Sequence, residues 1–141
     1  MNGIINFHDL ERVNLKASDL EKWVFKIAEE FNRPVLEIQY VFCDDEYLYE
    51  MNMQYLNHDT YTDIITFDYG DGKELHGDLF ISVERVSENA KERGLSVEEE
   101  LLRVMAHGLL HMQGFKDKSD EERATMRKEE ERLMKLFHVE H

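Results

Sequence analysis

The sequence has little cysteine and little proline, with one of each among 141 residues. A single thiol, Cys43, excludes an intramolecular disulfide framework and is typical of proteins in a reducing cytoplasm. Long apolar runs are missing as well: no uncharged stretch approaches the roughly 18–20 residues of a membrane helix. Charged residues also interrupt the first thirty positions, where a signal peptide needs an apolar segment. The sequence therefore predicts a cytoplasmic protein with no membrane partner.

Basic residues are scarce, with 17 Lys and Arg against 31 Asp and Glu, so the formal net charge is −14 with His neutral. Between Val35 and Asp78 there are eleven acidic residues and one basic residue, Lys73, which places −10 of this charge in 44 positions. The other 97 residues carry the remaining −4. Such a balance argues against a protein that coats nucleic acid with a broad basic surface.

What the sequence does contain is enough apolar material for a core, because 42% of the residues are hydrophobic and 11% are aromatic. The length matches one domain of typical size. No internal repeat, low-complexity tract or flexible linker interrupts it. We therefore expect residues 1–141 to form a single domain.

Hydrophobic periodicity and capping signals locate the elements. Strands are predicted at 3–7, 35–43, 63–69 and 79–83, and helices at 18–31, from 44 or 45, from 82 or 87 to 94, at 96–113 and at 120–137. Capping boxes, in which a Ser and a Glu satisfy free amides at a helix start, are predicted at 18–21, 96–99 and 119–122. The second helix is expected to turn Leu48, Met51 and Tyr55 inward, whereas the run 129–131 is expected to form a solvated face. Early strands, late helices and one hairpin indicate an α+β fold.

The segment from His107 to Asp117 is the one with a specific chemical pattern. His107 and His111 are four residues apart, so their rings project from the same face of a helix and can reach one cation. Gly114 can end that helix in a left-handed conformation, which brings Asp117 back as a third ligand. Two imidazoles and a carboxylate leave a position open for water or substrate. A histidine pair at this spacing can also be purely structural, but the turn and the carboxylate that follow favour a metal site.

Gly108 follows the first histidine, where metalloproteases of the H-E-x-x-H type carry the Glu that serves as general base. A glycine at this position, in place of that Glu, argues against peptide hydrolysis by the metalloprotease route. A glycine inside a helix costs about 1 kcal/mol relative to alanine. We therefore expect Gly108 to allow a close approach of the backbone to another element.

This motif resembles the H-G-x-L-H-x-x-G-[YF]-x-[HD] signature of the YbeY family, which comprises metal-dependent endoribonucleases of ribosomal RNA maturation. Two further segments are similar to family motifs in the same order. The stretches 52–56 and 62–67 resemble N-x-x-Y-R … P-T-D-V-L-S-F, and 77–82 resembles G-D-I-x-I-S. The resemblance therefore covers much of the chain.

The resemblance implies a single-strand endoribonuclease that acts in ribosomal RNA maturation and ribosome quality control. It implies a single small mixed sheet of about four strands with about five helices packed on it, and a metal site in a cleft. Its ligands would be His107, His111 and Asp117, and the cofactor one divalent metal ion, with zinc suggested by the family. Implied partners are single-stranded ribosomal RNA and the ribosomal small subunit or a ribosome-assembly GTPase.

Two departures from the family pattern bear on the chemistry. Most members have Asp-His where this chain has Lys116-Asp117. A carboxylate ligand in place of an imidazole makes the site less positive. It also makes the ligands resemble the set of two histidines and one carboxylate that can hold iron. Leu56 stands where the family usually carries an Arg that contacts RNA phosphate. One possibility is that a nearby Lys, a nearby Arg or His58 replaces the charge of that Arg. The other is that RNA cleavage is weaker in this protein. Local cations such as Lys116 and Lys118, or a partner, would then have to present the RNA.

Thr62, Asp63 and Lys116 are the remaining candidates for catalytic residues in the cleft, although Thr62 and Asp63 can equally well cap a strand and Lys116 can simply be solvated. No general base is identifiable from the sequence. Two other functions stay open: a ribosome-associated metal-binding module with weak or no catalysis, and a metal-dependent hydrolase of another substrate.

Overall fold

A computed structural model describes residues 3–56 and 62–140. Nine regular elements follow one another in these ranges: β1 (Ile4–His8), α1 (Ala17–Phe31), β2 (Val35–Cys43), α2 (Asp45–Leu56), β3 (Ile64–Asp68), β4 (Leu75–Ser82), α3 (Val83–Arg93), α4 (Val97–Met112) and α5 (Asp120–Glu140). A short 3₁₀ turn, Leu10–Arg12, lies between β1 and α1. These elements confirm the α+β fold.

The four strands form one mixed sheet in the order β1-β2-β4-β3. β1 and β4 both run parallel to β2, whereas β3 pairs antiparallel to β4 and forms one edge. Tyr40 of β2 is paired with Phe7 on one side and Leu79 on the other. The predicted small mixed sheet of four strands, its hairpin and the five helices are therefore confirmed.

One face of the sheet carries the main core. The side chains of β2 alternate, with Ile38, Tyr40 and Phe42 buried and the residues between them partly exposed, as a period of two requires. These residues pack in one cluster with the apolar faces of α1, α4 and α5. The buried indole of Trp23 donates a hydrogen bond to the carbonyl of Leu133 at 2.8 Å, which ties α1 to α5.

The opposite face is covered by α2, which packs Leu48 against Ile65 and Cys43 in a second, smaller cluster. Burial raises the pKa of the Cys43 thiol to about 11, with the nearby Asp44 acting in the same direction. The thiol is therefore protonated at neutral pH and unreactive. The predicted inward position of Tyr55 is wrong: its side chain is 62% exposed, because Asn52, one turn after Leu48, takes the buried position.

Two predicted helix starts have the capping that the sequence suggests. The Ser96 hydroxyl accepts a hydrogen bond from the Glu99 amide at 3.1 Å. At the start of α5, Ser119 and Glu122 each accept from the other's backbone amide, at 3.0 and 2.9 Å. The box predicted at 18–21 is wrong. α1 begins at Ala17 with Lys16 as the extended N-cap, so Ser18 is already helical and cannot cap.

Strand β4 begins four residues earlier than its apolar pattern suggests. Leu75 pairs with Val35 of β2, and its amide donates to the carbonyl of Pro34 at 2.8 Å. Pairing with β2 on one side and β3 on the other extends the strand through polar residues of low strand propensity. Tertiary hydrogen bonds therefore set this boundary.

Gly108 brings α4 unusually close to the sheet. A β-carbon added there would lie 2.5 Å from Leu79 Cδ2 and 2.9 Å from Ile64 Cδ1, and 3.3 Å from Thr66 Oγ1. The predicted close backbone approach is confirmed. Because the histidines at 107 and 111 flank this contact on the same helix, it sets their height above the edge strand β3.

Replacement of this glycine tests the contact directly. We expect Gly108→Ala to lower the free energy of unfolding by up to about 2 kcal/mol, because an overpacking cost of about 1–3 kcal/mol outweighs the gain of about 1 kcal/mol in helix propensity. Urea denaturation measures the change. Thr125→Ala, on the exposed face of α5, is the matched control and should be neutral or slightly stabilising. A Gly108→Ala protein at least as stable as the parent would contradict the packing argument.

Candidate metal centre

His107 and His111 project from the last two turns of α4, and Asp117 lies in the loop that follows. Gly114 makes the turn between them with φ of 106°, a left-handed value that glycine tolerates. The Nε2 atoms of the two histidines are 2.9 Å apart, and Oδ2 of Asp117 lies 3.4 Å from the first and 3.3 Å from the second. The structure thus brings the three predicted ligands together.

These separations are those of ligands around a small divalent ion. Two ligand atoms at about 2.0–2.1 Å from zinc are about 3.3–3.4 Å apart at a tetrahedral angle and about 2.9 Å apart at a right angle. The two contacts of Asp117 match the first value, and the His107–His111 contact matches the second. The residues present therefore fit such an ion and provide three ligands, which leaves a coordination position open.

The other ring nitrogen of each histidine is held by an acceptor. Nδ1 of His107 lies 2.6 Å from Oε2 of Glu130, and Nδ1 of His111 lies 2.9 Å from the carbonyl of Phe115. An acceptor at Nδ1 keeps the proton there and directs the Nε2 lone pair into the site. Both imidazoles are therefore oriented as metal ligands are.

Glu130 is a site residue that the sequence interpretation missed. Its side chain is 3% exposed, so the predicted solvated face at 129–131 is wrong at this position. Met126, Leu133 and Phe137 of α5 are buried on the same face. A carboxylate within a helical stripe of apolar residues was the available signal, because an acidic group is rarely buried without a partner.

Arg103 supplies the counter-charge for this buried carboxylate. Its guanidinium donates to Glu130 at 3.1 Å and to Glu100, also buried, at 2.5 and 2.9 Å. It also lies 3.9 Å from Asp63. Burial lowers the pKa of Arg103, but the two glutamates outweigh it and leave the pKa above its ordinary value. Arg103 therefore stays charged and links α4 and α5 to the residue that precedes β3.

A cleft of about 510 Å³ opens between the metal ligands and β3. It contains the predicted candidates Thr62 and Asp63, and also Thr66 and Asp68. Asp63 accepts a hydrogen bond from Asn89 at 3.3 Å. Thr66 and Asp68 were missed, although the strand period of two puts them on the same side as residue 64.

The other candidates lie elsewhere. Lys116 is exposed and borders a shallow pocket with Glu122, outside the residues that line the cleft. Leu56 ends α2 with 40% of its side chain exposed and supplies no charge. His58, the suggested replacement for the family Arg, lies outside the described residues.

Comparison with known proteins assigns the chain to a family. The sequence profile described as Endoribonuclease YbeY matches residues 5–138, nearly the whole chain. The chain belongs to the YbeY endoribonuclease family. The motifs that carried the resemblance all fall within the matched region.

Individual relatives agree. A protein of Flavobacterium psychrophilum named Endoribonuclease YbeY is 56% identical over 83% of this chain and 84% of its own length. One of the same name from Christiangramia forsetii is 48% identical over 98% of this chain and 97% of its own. The solution structure of a Thermotoga maritima protein has a TM-score of 0.68 at 23% identity and covers 97% of this chain and 90% of its own, which shows the same fold.

The contact between Glu130 and His107 predicts a measurable effect on metal affinity. We expect Glu130→Gln to weaken zinc binding by roughly tenfold to a hundredfold, as loss of a ligand's outer hydrogen-bond partner does. Competition with a chromophoric chelator measures the affinity. Glu131→Gln, an exposed neighbour with the same change of charge, is the control. Equal affinities for both variants would mean that Glu130 has no role in orienting the ligand.

Proposed function

We propose that this protein is a metal-dependent single-strand endoribonuclease that acts in ribosomal RNA maturation and ribosome quality control. The observation that carries the proposal is the cluster of His107, His111 and Asp117 at the mouth of a cleft, in a chain of the YbeY endoribonuclease family. RNA as the substrate class follows from the names of the relatives. Ribosomal RNA as the substrate follows from the resemblance in the signature motifs.

His107, His111 and Asp117 would hold one divalent metal ion, with zinc favoured by the resemblance to the family. Such an ion would polarise a phosphate oxygen or lower the pKa of a water molecule. The protein's own groups orient the ligands: Glu130 and the Phe115 carbonyl fix the two imidazoles. Two histidines with one carboxylate can also hold iron, so elemental analysis is part of the test.

The cleft on the β3 side offers hydroxyl and carboxylate groups to a substrate. Thr62 and Thr66 can donate to or accept from ribose hydroxyl groups. Asp63 faces Arg103 and Asn89, whereas the one side-chain hydrogen bond of Asp68 among the described residues is with the amide of Gly70, at 2.9 Å. Asp68 is therefore the less engaged of the two carboxylates and can accept a hydrogen bond from a substrate, whereas Asp63 is better suited to positioning.

Single-stranded ribosomal RNA, the ribosomal small subunit or an assembly GTPase, and a cytoplasmic location belong to the same proposal. Their support is the resemblance to the family together with the lone, buried thiol of Cys43. No helix within the described ranges has both the length and the apolar character of a membrane span. One cluster of buried residues that joins the sheet to four helices supports a single domain over residues 1–141.

Two alternatives have different structural support. A ribosome-associated module without catalysis is favoured by one observation, the uncharged and exposed Leu56 in place of the family Arg. A peptidase is disfavoured, because the tight packing at Gly108 leaves no room for the glutamate that metalloproteases carry there.

Loss of one ligand should abolish metal binding and RNA cleavage together. We expect His111→Ala to retain well under one metal ion per chain and to lose cleavage of a single-stranded ribosomal RNA fragment, because two remaining ligands bind zinc weakly. Elemental analysis and a chelator-controlled cleavage assay measure the two properties on the same sample. His138→Ala, a histidine exposed near the end of α5, should keep both.

The outcome separates the three functions. Unchanged metal stoichiometry in His111→Ala would refute the ligand assignment. A parent protein that holds one metal ion but cleaves RNA no faster than its chelated control is the non-catalytic module. Cleavage of another substrate class in preference to RNA would identify the other hydrolase.

A further inference from the structure

We propose that a cavity lined by four arginines beside the candidate metal centre binds a backbone phosphate of the RNA, an inference that rests on the proposed function. Its lining residues come from α3, α4, α5 and the loop between α4 and α5, and none of them belongs to β3. Arg93, Arg103, Arg123 and Arg127 line it together with His107 and Asp117. We call it the arginine cavity.

Three helices contribute to the arginine cavity. Arg93 is the last residue of α3, Arg103 lies one turn before His107 on α4, and Arg123 and Arg127 are one turn apart on α5. Residues four apart on a helix project from the same face, so each pair is presented together. The cavity has a volume of about 150 Å³, about ten times what one water molecule requires.

The lining of the arginine cavity contains four arginines against two carboxylates, in a protein with a net charge of −14. Four guanidinium groups face the carboxylates of Asp117 and Glu130 along its walls. Arg103 is already engaged by Glu100 and Glu130 and serves as part of the wall. The positive charge available to a ligand comes from Arg127, which has no ion pair within the described residues, and from the partly exposed Arg93 and Arg123.

These three arginines retain free donor capacity. The Arg127 side chain is exposed and has no hydrogen bond or ion pair with another residue of the described ranges. Arg93 approaches Glu100 through Nε at 3.6 Å, with half of its side chain exposed. Arg123 donates to the carbonyl of Lys118 at 2.6 Å and pairs with Asp120 at the surface. A guanidinium presents five donors in a planar fork, so each can still reach a ligand.

The chemistry of the cavity selects a phosphate. Planar forks of N–H donors match the oxygens of phosphate in a bidentate manner. The arginine cavity and the β3 cleft share the side chains of His107 and Asp117, so a polynucleotide with one phosphate at the metal centre places a neighbouring phosphate within reach of the arginines. Arginines of α3 and α5 thereby supply the positive charge that the family Arg provides and that Leu56, at the corresponding position, does not.

Binding of an RNA analogue by the metal-loaded protein tests the proposal. The probe is a fluorescein-labelled decamer of 2′-O-methyluridine, a modification that slows cleavage, and its affinity is measured by anisotropy across a series of salt concentrations. We expect Arg127→Gln to weaken binding roughly tenfold, because it removes a charge-assisted contact. The slope of log K against log salt should fall by about 0.7, the value for one phosphate contact with a single strand.

Matched variants separate a specific contact from a general change of charge. Lys128→Gln removes one positive charge from the next residue, which does not line the cavity, and should leave the slope unchanged. Arg123→Gln should behave like Arg127→Gln and replaces it if that variant does not fold. Arg127→Lys should restore the slope but only part of the affinity, since an ammonium group cannot bind phosphate in a bidentate manner.

Each result has one interpretation. Salt slopes equal to the parent's in Arg123→Gln and Arg127→Gln overturn the assignment, as does an equal loss in Lys128→Gln. Zinc content is measured for every variant and should stay at the parent's level. If the parent binds the decamer through these arginines yet cleaves no RNA, the endoribonuclease proposal fails while the phosphate site stands. If the parent cleaves RNA and the variants' salt slopes equal the parent's, the endoribonuclease proposal stands and the phosphate site is refuted.

Discussion

The contact between α4 and the hairpin of β3 and β4 is the constraint on which the site depends. At Gly108 the helix lies so close to Leu79 and Ile64 that an added methyl group would displace the ends of both side chains. The helix accepts a residue of poor helix propensity there and gains close packing of the segment that bears both histidines. This packing fixes the distance between α4 and the edge strand. His107 and His111 therefore line one side of a cleft, and residues of β3 line the other side.

The same helix brings ionised groups into the interior. Glu100 and Glu130 are buried, and a buried carboxylate is costly unless a partner charge and hydrogen bonds offset its desolvation. Arg103 provides both for each of them. The arrangement is hard to justify by stability alone, because apolar residues would pack there at no electrostatic cost. Its consequence is a fixed carboxylate against Nδ1 of His107, so we interpret the buried network as the support of the metal ligands.

Local signals were sufficient for much of this structure. The spacing of His107, His111, Gly114 and Asp117 predicted the cluster of ligands, because the geometry of one helix and the turn after it brings these side chains together. The capping boxes at Ser96 and Ser119 depended on neighbours three residues away. The sequence was insufficient where long-range contacts determine the structure. Pairing with β2 lengthens β4, and the buried Glu130 contacts His107, which is 23 residues away along the chain. The four arginines come from three helices, and no spacing along the chain reveals that they share a cavity.

The electrostatic asymmetry across the metal centre explains how so acidic a chain can belong to a family of endoribonucleases. On the β3 side the cleft offers carboxylates and hydroxyls, from residues such as Asp68 and Thr66. The carboxylates repel phosphate, whereas both kinds of group hydrogen-bond with sugars and with amino groups of bases. On the α5 side the arginine cavity attracts phosphate. A strand that crosses the centre therefore has one favourable arrangement, with backbone toward α5 and sugar or base toward β3. Charge placed in this way orients the substrate without the broad basic surface that the composition excludes.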